Sequence, residues 1–131
     1  MRGNLFSAYN TVTVCKEGDY VKKDIISQPV KLKPYLKETI WGGERLGRRY
    51  GGSKIGEAYL LSAIQGQASI TQEGSSFFTY LEQSHRDPEK FPLLIKAIDA
   101  AEPLSVQVHP DDDAAKKVGG RGKHELWIID H

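Results

Sequence analysis

Polar and apolar residues alternate along Leu104-Ser105-Val106-Gln107-Val108-His109, placing Ser105, Gln107 and His109 on one face and Leu104, Val106 and Val108 on the other. A period of two predicts a half-buried strand, and Pro110 ends it. Lys123, Glu125 and Trp127 repeat the pattern in a second predicted strand running to about Asp130. Two such strands can converge Gln107, His109 and Glu125 on one point, a donor set that suits a borderline divalent ion such as zinc. The same spacing also suits a hydrogen-bonded structural pair, so both readings stay open at this point.

The rest of the chain is patterned mainly for short strands. Val30 to Leu36, interrupted by Pro34, predicts an edge strand. Glu44 to Tyr50 predicts a short helix stopped by Gly51-Gly52, after the segment Ile40-Trp41-Gly42-Gly43. Ile55 to Ser62 and Ala68 to Thr71 predict two strands around a turn at Gln65-Gly66. Ser75 or Ser76 can cap a helix carrying Phe77, Phe78, Leu81 and Glu82 that ends before Pro88. Phe91 to Asp99 is a nearly continuous apolar run containing Lys96 and predicts a buried strand. A lysine there needs an anionic partner or a route to water. Glu57 and a substrate phosphate are the two candidates. After Pro110, Asp111 predicts the cap of a short helix with Asp112 and Asp113 in its first turn, Lys116 and Lys117 in its last, and Gly119-Gly120 beyond. Acid at the front and base at the back complement the helix dipole, so these aspartates are assigned to capping rather than to a metal.

Four segments, IWGG, FPLLIK, SVQVHPDD and GKHE followed by an aromatic, stand in this order along the chain. Together they resemble type I phosphomannose isomerases over residues 29–131, the front part of that family's catalytic unit. The resemblance implies a mainly β fold: an incomplete cupin-like jelly roll with a few short helices. It implies interconversion of mannose 6-phosphate and fructose 6-phosphate, with one zinc held by a Gln, a His, a Glu and a second His. The first three correspond to Gln107, His109 and Glu125. The second His is expected beyond His131, together with an active-site arginine. His131 is too near Glu125 to be that residue, and His124 points to the opposite strand face. By the same resemblance Lys123 is placed at the active site, where it would stabilise an enediolate or assist proton transfer. Lys96 and Ser105 are further catalytic candidates, Ser105 as a donor to substrate oxygens. The chain departs from the family at Tyr59, where a tryptophan is usual, and at Leu60, often acidic; Glu57 is kept. Trp41 matches a family tryptophan and suits a core position as well as a sugar platform.

Composition narrows the partners. Among 131 residues, 18 Lys+Arg against 17 Asp+Glu leave a net charge of +1, which gives no electrostatic case for nucleic acid or membrane. The single cysteine, Cys15, excludes an internal disulfide. Without the apolar stretch of a leader after Met1, the expectation is a cytoplasmic protein acting on a small sugar phosphate. Residues 1–28 show no clear period, fall outside the resemblance and are expected to form an extension, in contrast to the domain at 29–131. Half a jelly roll leaves open strand edges, so a C-terminal half or a second copy is an expected partner. A non-catalytic cupin module binding a metal or a sugar phosphate is the alternative function.

Overall fold

The computed structural model describes residues 29–129. The expected extension over residues 1–28, Cys15 within it, Asp130 and His131 lie outside them. Pro34 divides the first predicted strand in two, because it has no N–H to give a ladder. β1 (Leu32–Lys33) pairs antiparallel with β4 (Ile70–Thr71), whereas β2 (Tyr35–Glu38) joins a different sheet. That second sheet has the antiparallel order β2-β3-β5, with β3 (Ile55–Leu61) central and β5 (Ile95–Ile98) beside it. The two strands expected around Gln65-Gly66 therefore do not pair as a regular hairpin. Ser69 N–H still donates to Ser62 O at 3.0 Å, but the ladder of β4 goes to β1.

Register gives the three-stranded sheet two unlike faces. Leu36, Ala58 and Ala97 share one face and pack with Leu46 of α1 (Arg45–Tyr50) and with Ile55, Tyr50 and Leu60. Tyr35, Lys37, Glu57, Tyr59 and Lys96 occupy the other, since Lys37 pairs with Glu57 and Tyr59 with both Tyr35 and Lys96. A second core of Leu61, Ala63, Phe77 and Leu81 sits under α2 (Phe77–Gln83), where Phe91 meets Phe77 edge-on at 5.2 Å. Ser76 caps α2 by accepting from Thr79 N–H at 3.0 Å, as its sequence predicts.

Two close approaches explain the IWGG segment. A Cβ on Gly42 would lie 2.3 Å from Lys54 O, and one on Gly56 would lie 2.6 Å from the Trp41 ring. Trp41 is thus laid half-buried over the start of β3, outside both core clusters. Asp99, just past β5, accepts from Arg45 N–H at 2.6 Å and Leu46 N–H at 3.2 Å and so caps α1 from the far end of the sheet.

Three strand expectations are corrected. The run Phe91 to Asp99 is strand only over Ile95–Ile98, and Leu93, Leu94 and Ile95 are exposed rather than buried. Among the described residues nothing pairs with the outer edge of β5. The segments 104–109 and 123–129 are extended in sequence pattern but form no strand. Alternation sets which way side chains point, while a strand also needs a neighbour for its N–H and C=O groups.

Candidate functional site

The two segments without ladders nevertheless bring the predicted chemistry together, and α3 (Asp112–Lys116) is what folds one back on the other. Asp111 caps α3 by accepting from Ala114 N–H at 2.8 Å, and Lys116 pairs with Asp113 at 3.3 Å. Gly120 N–H closes the helix onto Ala115 O at 2.9 Å, and Ala115 is buried. Asp112 then accepts from Gly122 N–H at 3.1 Å. A Cβ on Gly122 would lie 2.6 Å from Asp112 N and 2.7 Å from Asp112 Oδ1, so only glycine lets the chain lie this close to the helix. Lys123 N–H finally reaches Pro110 O at 3.3 Å. All three aspartates are accounted for by the helix and its return, as the capping assignment requires.

This return sets Glu125 against His109. Nε2 of His109 contacts Oε2 of Glu125 across 16 residues of sequence, and each side chain shields the other although their segments are exposed. Lys123 Nζ lies 2.8 Å from the same Glu125 oxygen and 3.3 Å from His109 Nε2. The Lys123 hydrogen bond holds the Glu125 carboxyl below the usual carboxylate range, against a smaller upward push from burial and with help from His109. Gln107 and Ser105 are exposed on the segment leading to His109. Two of the three predicted ligands are therefore in contact, and the structure gives Gln107 no part in that contact. Among the described residues no group of three or more His, Cys, Asp or Glu side chains gathers that could hold a metal ion. An imidazole nitrogen and a carboxylate oxygen facing one another fit a zinc-like ion as two donors. They do not by themselves complete a four-donor shell.

Lys96 lies in a different cluster. Its Nζ donates to Glu57 Oε1 at 2.7 Å, so the carboxylate is its partner in this structure. Lys37 reaches the other oxygen at 3.2 Å and the Tyr59 hydroxyl donates to that oxygen at 3.3 Å. Burial pushes the Glu57 carboxyl up, but the hydrogen bonds and charges of Lys96 and Lys37 outweigh it and the net shift is downward. Lys37 is raised in return, chiefly by its hydrogen bond to Glu57. Sequence reading missed Lys37 and Tyr59. Their only signal is the cross-strand register that places both beside Glu57, and register is not legible in one strand alone. A depression of about 310 Å³ lined by Ala63, Ile64, Phe78, Pro88 and Phe91 contains none of the predicted site residues.

The chain is matched by the family model described as phosphomannose isomerase type I, catalytic domain, over residues 53–130. That range holds every predicted site residue. It is 40% identical to a probable mannose-6-phosphate isomerase, GmuF, of Bacillus subtilis, over 79% of this chain and 38% of that protein. With the mannose-6-phosphate isomerase ManA of the same organism it shares 38% identity over 79% of this chain and 37% of the relative. The crystal structure of the mannose 6-phosphate isomerase from Bacillus subtilis superposes with a TM-score of 0.59 at 34% identity, over 72% of this chain and 35% of that one. The chain thus spans little more than a third of the length of the curated relatives it matches. The shared fold is mainly β with a few short helices, consistent with an incomplete cupin-like jelly roll.

Proposed function

Because the chain belongs to the type I phosphomannose isomerase family, we propose that it supplies the front part of a zinc-dependent aldose–ketose isomerase acting on mannose 6-phosphate and fructose 6-phosphate. The observation that carries this reading is the convergence of His109, Lys123 and Glu125 from two segments inside the matched region. Gln107, His109 and Glu125 would hold the ion together with a further donor. When bound, zinc supplies Lewis-acid polarisation of the substrate oxygens.

The isomerisation takes a proton from C2 of the aldose and returns one to C1, while the hydroxyl proton passes from O2 to O1. Negative charge builds on oxygen in the intervening enediolate, and a cation near that oxygen lowers the barrier. Lys123 is suited to this role, its ammonium lying 2.8 Å from Glu125 and 3.3 Å from His109. Ser105, two residues before Gln107 in the same alternation, would donate to a substrate hydroxyl. Lys96 keeps Glu57 ionised on the sheet face, and a role toward the phosphate would require it to share that bond. We place the reaction in the cytoplasm, in keeping with a chain that carries one cysteine. No helix among the described residues is long and apolar enough to cross a membrane.

The alternative reading is a non-catalytic cupin module that binds a metal or a sugar phosphate. A chimera decides between them. This chain replaces the matching front part of Bacillus subtilis ManA, and conversion of mannose 6-phosphate is followed with and without chelator. Chelator-sensitive turnover that His109→Ala abolishes supports the isomerase. A folded, zinc-loaded chimera without turnover supports the module.

A further inference from the structure

One carboxylate on the three-stranded sheet faces two cations. Glu57 sits on the central strand, β3, and is reached from both neighbours. Lys37 lies directly across on β2, and Lys96 comes diagonally from β5, where its own partner is Tyr59. The donors divide the carboxylate between them. Lys96 takes Oε1 at 2.7 Å, whereas Oε2 is shared by Lys37 at 3.2 Å and the Tyr59 hydroxyl at 3.3 Å. The Tyr59 ring packs against Tyr35 at 5.8 Å, which steadies the hydroxyl. Two ammoniums on one carboxylate leave the trio with a positive charge in excess.

A shielded carboxylate with a single cation cannot release it, because breaking such a pair strands the remaining charge. Glu57 would hold Lys96 in this way if Lys96 were its sole partner. Lys37 and Tyr59 change that: they keep Oε2 satisfied whether or not Lys96 stays on Oε1. Lys37 remains an ammonium throughout, since its bond to Glu57 holds its pKa above the ordinary value. Lys96 has three donors, and among the described residues it uses one, on Glu57. We propose that Lys37 and Tyr59 are positioning residues for Lys96. They hold Glu57 from the Oε2 side, so that Lys96 can turn from Oε1 to the phosphoryl group of a sugar phosphate. The identity of that anion rests on the isomerase reading; the release of Lys96 does not.

The first test needs no turnover. The 131-residue chain is trace-acetylated, and modification of Lys96 is read by mass spectrometry relative to the exposed Lys117. Lys37→Met is expected to cut Lys96 labelling at least about 3-fold, because Lys96 becomes the one cation on Glu57. Tyr59→Phe keeps the ring and should cut it about 2-fold, which carries the test if Lys37→Met does not fold. Lys37→Arg should restore the labelling. A merely structural role predicts the opposite sign, since a loosened sheet exposes Lys96. In the ManA chimera, Lys37→Met should raise KM for mannose 6-phosphate about 10-fold while kcat stays within about 2-fold and zinc affinity is unchanged. An inactive parent chimera would fault the isomerase reading alone, and the labelling would still decide this one. Unchanged or increased Lys96 labelling in the folded variants, or a loss of kcat at constant KM, would overturn the proposal.

Discussion

Replacing Glu57 by Gln tests whether the ion cluster on the three-stranded sheet holds the fold together. The Glu57 side chain is 9% exposed and bonded to Lys96, itself 23% exposed, at 2.7 Å. A hydrogen bond to a charged partner contributes about 1.5–3 kcal/mol. The Lys37 pair, 3.2 Å long with a lysine that is 45% exposed, adds at most about 1 kcal/mol after solvent screening. Against these, the amide no longer carries a desolvated charge, which returns part of the loss. The net expectation is a destabilisation of about 2 kcal/mol, or a fall in melting temperature of roughly 7–9 °C for a domain of this size. Thermal unfolding followed by far-ultraviolet circular dichroism measures it. The companion variant Glu57→Gln/Lys96→Met should recover about half of the loss, because it removes the stranded cation as well. A single-variant loss below about 0.5 kcal/mol, or strictly additive losses in the double variant, would refute the coupling.

The same carboxyl sets a pH dependence. Its pKa in the folded chain lies below the ordinary 4.5, so its contribution is fully present above that value and is lost as pH falls through the folded pKa. The melting temperature of the parent should therefore drop more steeply than that of Glu57→Gln on acidification from about pH 5 to pH 3. Gly122→Ala must push the 121–125 segment off α3, because its Cβ would lie 2.6 Å from Asp112 N. The stability loss should be small on so exposed a segment, but zinc affinity should fall about 10-fold, one factor of RT ln 10, as Glu125 moves from His109. Equal zinc titrations for parent and variant would show that the approach to α3 does not position the carboxylate.

Features that a few neighbouring residues decide were legible in the chain. Ser76, Asp111 and the Gly51-Gly52 stop act within one helical turn, and each sits where its local pattern predicts. The Glu57–Lys96 pair was legible as one of two alternatives, because a lysine in an apolar run requires an anion. Long-range pairing was not. Nothing near Leu32 indicates that its ladder partner is Thr71, and nothing near Arg45 indicates a cap from Asp99, 54 residues on. The alternation at 104–109 predicts a half-buried strand, yet Val106 and Val108 are exposed, and alternation could not supply the neighbouring strand that a ladder needs. His109 and Glu125 were foreseeable as a pair through the family resemblance. The turn that joins them, with Gly122 lying against Asp112, was not.

A zinc site nucleated by His109 and Glu125 is the proposal on which the isomerase reading depends. Its most direct test is a zinc titration of the purified 131-residue chain against its His109→Ala and Glu125→Ala variants, read by competition with a chromogenic chelator. One weakly bound zinc per parent chain is expected, with loss of that binding in both variants and with Cys15→Ser indistinguishable from the parent. Equal zinc binding by the parent and His109→Ala would contradict it.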